Sequence, residues 1–569
     1  MRRGKFTKIK KLTLADFYRA FTSRSANYWI SVIALFVVIS RWLGHMRHLY
    51  SEDSVHFALA LDNYDITLHQ PHPPGYALYI LLTKPIYWLT HDANTALIIT
   101  GIILSVALVY AIFYLAKEVY GQRIAWISTL LLVSSPMVWF HGQVALTYVS
   151  DALFATFFAL FAYRSLISKS GSTRELFWAS IVLAIGGGFR PTLVILMIPL
   201  WLWIVLRQRS WKVLLTQSAV VAGLTVAWIV PAALLSGGWE GFWQATYSLI
   251  FAKGSLYTFS VFYTGWMAFK TYAFFMLTNL VTSLGWGGVT AIVLFPIYIV
   301  AYYIASPRVG GLAVNARRMA FWLLWIGPAL LFYLFVVFVI MGYLLLILPA
   351  IIVLTAVAAD SILVAVVTVV TRGSKQRVER LLAATLCFTC IAVGLNVYRY
   401  YRAGPATAEQ PDRSVIRHLD PLWDSITATI RKEFNPQSTV ISIERPFVFN
   451  GISHFQYYFP EYETYQPVSW GQYNPGGLDW VMAYGRKRRL AKELVLGETA
   501  SKLIVIRASL DNPRPALDVG LLHQLPLLLN DMPIGKLFYY DLTDLGVKEE
   551  LSKLKNVKVA GTTTEAAEN

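Results

Sequence analysis

The sequence predicts a polytopic α-helical membrane protein with a small soluble α/β domain at its C-terminal end. Hydrophobic residues make up 56% of the 569 positions and charged residues 14%, whereas soluble domains average roughly 45–50% apolar and about 25% charged. Long apolar runs alternate with short basic loops, and a soluble composition begins near residue 404. A soluble globular chain is excluded, and so is a disordered one, because so apolar a chain does not stay solvated.

The N-terminal 27 residues are basic and precede an apolar segment that begins near Tyr28. Their Lys and Arg residues are opposed by one acid, Asp16. Because basic residues are retained on the cytoplasmic side, this pattern predicts a cytoplasmic N-terminus. The segment is long and lacks a small-residue cleavage site, so we expect no removable signal peptide.

Apolar runs long enough to cross a bilayer recur along residues 28–400, and they number about eleven. After the first, they cover 96–116, 124–140, 144–163, 176–189, 192–206, 213–236, 284–305, 319–338, 342–359 and 382–398. With the N-terminus inside, every basic loop falls on the cytoplasmic side, which explains the net charge of +17 without nucleic acid. Residues 240–283 carry Glu240, Lys253 and Lys270, which favours interfacial or re-entrant helices.

Two soluble elements share the extracytoplasmic side in this topology, the first outer loop (47–95) and the C-terminal region. The C-terminal region predicts a helix over 412–433. Short strands are predicted at Thr439–Ile443, Lys502–Ile506 and Lys536–Tyr540. We therefore expect a basic N-terminus (1–27), a membrane module (28–400) and an extracytoplasmic α/β domain (401–569).

An acidic pair, Glu52 and Asp53, follows the first apolar segment directly. Ser51 before it predicts the N-cap of a helix whose first turn holds both acids. Acids there stabilise a helix by a few tenths to about one kcal/mol, which is the purely structural interpretation. At the mouth of a membrane bundle carboxylates tend to mark functional sites, so the pair is also a candidate for catalysis.

A proline-rich run, HQPHPPGY from His69 to Tyr76, follows in the same loop. Its prolines exclude helix, and Gly75 permits a turn back toward the membrane. The apolar helix expected from Tyr76 contains Lys84 and Pro85, which favours an interfacial position. A rigid return turn without chemistry explains this run equally well.

These features together resemble the GT-C superfamily of polyprenyl-phosphate-sugar-dependent glycosyltransferases. The shared features are the acidic pair after the first span, a long outer loop with an interfacial helix, the PHPPGY return, many spans and a C-terminal outer domain. The likeness is to protein O-mannosyltransferase and aminoarabinose-transferase relatives and to prokaryotic members with an HPPGYPLY signature, from which Ala77 departs. It covers about 1–400 and leaves the subfamily open.

The resemblance implies an inverting enzyme of the plasma (inner) membrane, which moves a sugar from a polyprenyl-phosphate donor to an acceptor at the outer face. The acceptor is a lipid, a glycan or a protein, and membrane lipids surround the enzyme. One acid of the pair would be the general base, Asp53 with Glu52 as its helper. The leaving phosphate needs a cation, for which Arg190 in GGGFRPT is the first candidate and Lys84 another.

The remaining candidates would organise the site. Asp151, in YVSDALF, is a costly membrane carboxylate that must find a partner such as Arg190 or His141. From the proline-rich run we expect His69, His72 and Tyr76 to contribute. Competitors of Arg190 that also suit headgroup anchoring are Arg41, Lys84, Lys253 and Lys270.

A divalent metal stays open as the one cofactor considered. His69 and His72 are close in sequence, and His56 lies four residues after Glu52. Pro71 excludes the helical spacing that zinc sites commonly use, which counts against coordination by this run. Some superfamily relatives use a divalent metal and others do not, so the resemblance does not decide.

For three other features the sequence favours a structural explanation over a functional one. GYLLLILP (Gly342–Pro349) is similar to a segment common in the superfamily and also suits helix packing, and Asp360 near the inner surface is expected to be structural. Aromatic stretches such as FQYYFPEYETY fit either sugar stacking or a domain core. A transporter or lipid flippase is the main alternative function, although such proteins place ionisable groups near the midplane, often in repeated halves. A noncatalytic scaffold is a third.

Overall fold

In a computed structural model of the chain, the apolar part forms a bundle of long helices and the C-terminal part forms a mixed sheet with flanking helices. The structure describes residues 26–168, 173–251, 260–305, 316–337, 341–371, 377–402, 412–443, 452–468, 480–484, 488–491, 494–506, 522–529, 532–552 and 557–560. The α-helices of the membrane part are α1 (Ala26–Gly44), α2 (Glu52–Asp62), α3 (Ala77–Thr90), α4 (Ala93–Tyr120), α5 (Gln122–Ser134), α6 (Pro136–His141), α7 (Tyr148–Ile167), α8 (Thr173–Phe189), α9 (Pro191–Arg207), α10 (Trp211–Leu235), α11 (Gly238–Phe251), α12 (Val261–Thr264), α13 (Trp266–Ala305), α14 (Ala316–Phe335), α15 (Leu348–Thr371) and α16 (Arg377–Arg402).

Seven helices of the described part are long and apolar enough to cross a membrane, namely α1, α4, α7, α10, α14, α15 and α16. α9 is apolar but shorter. The chain is therefore a multi-pass membrane protein, as the sequence predicts.

Several apolar runs that the sequence presents as single spans are broken helices. The run 124–140 divides at Ser135, where Pro136 begins the short α6. The run 342–359 starts with a 3₁₀ helix, Met341–Leu346, before α15 begins. The run 284–305 is the second half of α13, whose backbone is non-helical at Gly285. At two of these breaks side chains of the bundle donate to backbone carbonyls, Ser135 Oγ to Ser283 (2.5 Å) and Trp325 Nε1 to Leu346 (3.1 Å).

Two ion pairs link helices of the membrane part. Arg164 Nε donates to Glu118 Oε1 (2.8 Å), and Arg123 Nε lies 2.6 Å from Asp360 Oδ1. Asp360, which the sequence predicts to be structural, thus has Arg123 as its ion-pair partner. These ion pairs tie α4 to α7 and α5 to α15.

The C-terminal part is a mixed sheet with helices. Its elements are α17 (Arg413–Glu433), β1 (Thr439–Ile443), α18 (Ile452–Tyr458), β2 (Glu463–Val468), β3 (Trp480–Tyr484), β4 (Arg488–Ala491), β5 (Leu494–Leu496), β6 (Lys502–Ile506), β7 (Leu522–Leu529), β8 (Met532–Asp541), α19 (Val547–Ser552) and β9 (Val557–Val559). The strand order is β4-β3-β2-β1-β6-β8-β7, with β1 parallel to β2 and β6, and β5 pairs with β9 in a separate ribbon. The predicted helix and three predicted strands all form.

A hydrophobic core holds α17 and α18 against this sheet. Trp423 and Ile426 of α17 are buried with Ile441 of β1 and Ile504 of β6. Phe455 in the aromatic stretch FQYYFPEYETY is fully buried in the same core. The described part of that stretch therefore supplies core residues rather than an open aromatic platform.

Candidate active site

The acid pair opens α2, as its position after Ser51 predicts. The Ser51 backbone is extended, and its N–H donates to Ser54 Oγ (3.3 Å). Val55 and Phe57 are buried, whereas the carboxylates of Glu52 and Asp53 are half-exposed. The helix therefore anchors its apolar side in the protein and presents both acids at a surface that water reaches.

The proline-rich return folds back onto α2. Asp65 and Gln70 exchange backbone hydrogen bonds (2.6 and 2.9 Å), and the Tyr64 hydroxyl donates to the carbonyl of Gly75 (2.9 Å). Gly75 has a φ of +114°, and a Cβ there would overlap the Tyr64 hydroxyl. The glycine is thus required for this close turn, which carries His72 back toward the acids.

His72 is the residue of the return that meets the acid pair. Its Nδ1 lies 3.5 Å from Asp53 Oδ1, and its Nε2 lies 2.8 Å from the Tyr76 hydroxyl. Burial lowers the pKa of His72, and the Asp53 charge acts in the opposite direction. His69 lies beside the same cluster, with its ring centroid 5.7 Å from that of His56.

Arg190 lies at the junction of α8 and α9, between the predicted apolar runs 176–189 and 192–206. Its Nε is 2.8 Å from Asp151 Oδ2, and its Nη1 donates to Thr147 Oγ1 (3.2 Å). Both charged side chains are almost fully buried. The expected partner of the membrane carboxylate is therefore Arg190.

Three phenol rings surround the Arg190 guanidinium. Its Cζ lies 4.5 Å from the Tyr148 ring centroid, 5.5 Å from that of Tyr343 and 5.8 Å from that of Tyr76. A cation this close to ring faces is attracted by their quadrupoles. The guanidinium is thus held in one position by Asp151 and by aromatic faces.

Glycines explain how these helices approach so closely. A Cβ on Gly188, at the end of α8, would overlap Leu78 of α3. A Cβ on Gly342 would overlap the Tyr148 ring. The first contact brings Arg190 beside Tyr76, and the second sets Tyr343 against Tyr148.

Tyr76 joins the two halves of the site. Its hydroxyl bonds His72, which faces Asp53, and its ring lies under Arg190, which holds Asp151. Burial raises the pKa of Tyr76, so the hydroxyl stays protonated at neutral pH. The structure thereby brings most of the predicted site residues into one connected cluster.

Of the other predicted residues, one lies next to this cluster and the described others lie away from it. The His141 ring packs on Tyr148, with centroids 4.9 Å apart, and so lies next to the Arg190 cage. Lys84 is partly exposed on α3, and within the described residues no ion pair or hydrogen bond ties it to this cluster. Arg41 is buried elsewhere, with its guanidinium 4.2 Å from the Trp139 ring centroid. Lys270 is exposed, and Lys253 lies outside the described residues.

The C-terminal domain also reaches the acid pair. Ser453 Oγ donates to Glu52 Oε1 (3.0 Å) and lies 3.0 Å from His56 Nε2. Nearby, His454 Nε2 donates to the carbonyl of Leu49 (3.1 Å). These contacts make α18 a wall of the site.

Sequence reasoning did not identify Tyr148, Tyr343 or Ser453. The two tyrosines stand in motifs that it singled out, since Tyr148 precedes Asp151 by three residues and Tyr343 follows Gly342. A turn of helix separates Tyr148 from Asp151, so both could have been assigned to one face. Ser453 carries no comparable signal, because it stands in a different domain.

Comparison with solved structures identifies the fold. ArnT from Cupriavidus metallidurans bound to undecaprenyl phosphate is 12% identical, with a TM-score of 0.54, and the match covers 92% of this chain and 99% of that one. The chain has the GT-C fold. An oligosaccharyltransferase from Archaeoglobus fulgidus tethered to an acceptor peptide matches at 12% identity and a TM-score of 0.44, over 78% of this chain and 64% of that one.

Sequence comparison agrees with the GT-C fold over part of the membrane module. The profile of the family described as dolichyl-phosphate-mannose-protein mannosyltransferase matches residues 71–236. This stretch holds His72, Tyr76, Asp151 and Arg190, whereas the acid pair precedes it. No curated protein matches the chain. The predicted helical membrane part and the sheet-containing C-terminal part are both confirmed.

Proposed function

We propose that the chain is a glycosyltransferase that moves a sugar from a polyprenyl-phosphate donor to an acceptor at the outer face of the plasma (inner) membrane. The observation that carries this proposal is the connected cluster in which a half-exposed carboxylate, Asp53, is linked through His72 and Tyr76 to a buried and fixed cation, Arg190. The undecaprenyl phosphate bound to ArnT, which shares the fold, supports the donor class.

Asp53 is the general base in this proposal. It takes the proton of the acceptor hydroxyl as that oxygen attacks the anomeric carbon, and the bond from that carbon to the phosphate oxygen breaks. A single displacement of this kind inverts the anomeric centre. Glu52 adds negative charge one residue away, which favours the developing positive charge on the sugar ring.

Arg190 stabilises the phosphate that leaves. Its pair with Asp151 and its three tyrosine neighbours fix the guanidinium before the donor arrives, so little reorganisation accompanies bond breaking. Asp151 and His141 act as positioning residues. Lys84 is not assigned a role, because the described contacts do not join it to this cluster.

Orientation follows from the basic loops. With the basic N-terminus in the cytoplasm, α2, the return and the C-terminal domain lie on the extracytoplasmic side. An acceptor lipid, glycan or protein would then approach from that side, and the isoprenoid tail would lie between helices. Labelling of a cysteine introduced on the C-terminal domain of intact cells by a membrane-impermeant reagent tests this orientation, and labelling only after lysis contradicts it.

Asp53→Asn tests the proposed base. Asparagine keeps the shape of the side chain but does not accept a proton at neutral pH, so release of polyprenyl phosphate should fall by about 10²–10⁴-fold. The assay uses purified protein with a panel of polyprenyl-phosphate sugars. Asp62→Asn, at the exposed end of the same helix, is the matched control and should retain activity, since its partner Tyr87 donates to it. Full activity in Asp53→Asn would refute the role of this residue.

A further inference from the structure

α11 carries a stripe of aromatic side chains that points away from the protein. Every fourth residue of this aromatic stripe is exposed, namely Trp239 (62%), Trp243 (58%) and Tyr247 (53%). Residues four apart lie on one helix face, and the Trp243 and Tyr247 ring centroids are 6.5 Å apart. A contiguous exposed apolar surface marks a site of contact with a partner or a membrane.

A polar stripe runs beside the aromatic one. Glu240, Gln244 and Ser248 are exposed and also lie four residues apart, and Gln244 Nε2 donates to Glu240 Oε1 (3.0 Å). α11 has 14 residues and is about 21 Å long, so it does not cross a hydrocarbon core of about 30 Å. A short helix with one apolar and one polar exposed face suits the boundary between membrane and water.

The aromatic stripe continues the exposed apolar side of α10. That helix is long and apolar enough to cross a membrane, and Val226, Val230 and Leu234 are exposed along it. Gly237 and Gly238, with φ of +73° and +80°, turn the chain from α10 into α11. We propose that α11 lies in the membrane–water interface where α10 ends, with its aromatic stripe among the lipids and its polar stripe in water.

The composition of α11 indicates which lipids it binds. Glu240 is the one charged residue of this helix, whereas helices that select anionic lipids carry Lys or Arg on the polar face. Tryptophan and tyrosine favour the headgroup level because each ring has an apolar body and a polar group. The aromatic stripe therefore docks on zwitterionic lipid as well as on anionic lipid.

The buried side of α11 holds the loop that leads into the proline-rich return. Phe242 packs with the fully buried Ile66, whose N–H donates to Ser236 Oγ (3.2 Å) at the corner between α10 and α11. A Cβ on Gly241 would lie 3.2 Å from Thr67 Cγ2, so the helix and the loop are in close contact. Docking of α11 on the lipids thereby also positions the return.

Spin labelling of the full chain in phosphatidylcholine vesicles tests the docking. Cys387→Ala and Cys390→Ala remove the two native cysteines, and single cysteines then replace the residues of both stripes in turn, from Trp239→Cys to Ser248→Cys. Labels on the aromatic stripe should collide mainly with dissolved oxygen, and labels on the polar stripe mainly with a water-soluble nickel chelate. Adding phosphatidylglycerol should leave this pattern unchanged.

Two patterns would overturn the docking. If the chelate reaches both stripes equally, α11 lies in water. If the aromatic stripe is shielded from both reagents, a protein partner or a second copy of the chain covers it instead of lipid.

Hydrogen exchange in the same vesicles tests the coupling to the return. Trp243→Ser combined with Tyr247→Ser should accelerate exchange of the Ile66 amide proton by at least about tenfold, because its bond depends on the docked helix. Gln244→Ala combined with Ser248→Ala changes the polar stripe and should leave the exchange rate as it is. Equal rates in the two double variants would refute the coupling.

These measurements use neither donor nor acceptor, because the inference goes beyond the proposed function. A chain that docks as described but transfers no sugar refutes only the proposed function. A chain that transfers sugar while its aromatic stripe lies in water refutes only the docking.

Discussion

Ser453 donates a hydrogen bond to Glu52 Oε1 at 3.0 Å, although 401 residues separate the two in the sequence. The first turn of α2 therefore depends on a side chain from the C-terminal domain. Asp420 of α17 reinforces the same junction, because its carboxylate accepts the backbone N–H groups of Arg47 (3.0 Å) and His48 (3.1 Å). The soluble domain is thus a structural part of the site.

Ser453→Ala should reduce sugar transfer while the chain stays folded. Loss of a hydrogen bond to a charged group costs about 1.5–3 kcal/mol, so we expect kcat/KM to fall by roughly tenfold or more. Ser501→Ala removes a hydroxyl from the same domain, where it donates to the carbonyl of Ser438, and should leave kcat/KM unchanged. Equal kinetics in the two variants would show that Ser453 has no positioning role.

Asp151→Asn should destabilise the protein strongly. It leaves the Arg190 guanidinium buried without its counter-charge, and breaking a buried pair costs about 3–5 kcal/mol. Glu118→Gln disrupts the partly exposed pair with Arg164 and should cost less. Thermal unfolding in detergent measures both. A smaller decrease in Tm for Asp151→Asn than for Glu118→Gln would contradict the buried pair.

Gly342→Ala should disturb the cage around Arg190. The added methyl group overlaps the Tyr148 ring, and overpacking costs about 1–3 kcal/mol. Gly327→Ala in α14 meets nothing within 4 Å and should be neutral or stabilise its helix by up to about 1 kcal/mol. A lower Tm is therefore expected for Gly342→Ala, and an unchanged or higher Tm for Gly327→Ala. A neutral Gly342→Ala would mean that the ring moves without cost.

Stability should fall in mild acid because of His454. Burial lowers its pKa to about 3 from an ordinary value of 6.5. Below pH 6.5 the unfolded chain takes up a proton that the folded chain does not, so the free energy of unfolding decreases as the pH falls toward 3. His454→Gln can still donate to the Leu49 carbonyl and should flatten this dependence. Parallel Tm profiles between pH 7.5 and 5 for the two proteins would exclude His454 as the cause.

The sequence predicts much of the site because the relevant signals are local. A serine before two acids predicts a helix start, prolines predict a return, and Asp151 in an apolar run requires a partner. The Tyr148–Tyr343 cage and the Ser453 contact depend on how distant helices pack, which periodicity does not encode. The sequence did not predict the helix breaks at Ser135 and Gly285 for a related reason. An uninterrupted apolar run does not show where the backbone leaves the helical conformation.

Because the chain is synthesised from its N-terminus, the contact between α18 and α2 forms late. The ribosome completes the membrane helices and the proline-rich return before it reaches residue 453, so the nascent protein inserts with Glu52 and His56 still lacking their serine partner. The site is assembled only when the last third of the polypeptide has emerged and folded. A prematurely terminated chain would thus occupy the membrane without the wall that α18 adds beside the acid pair.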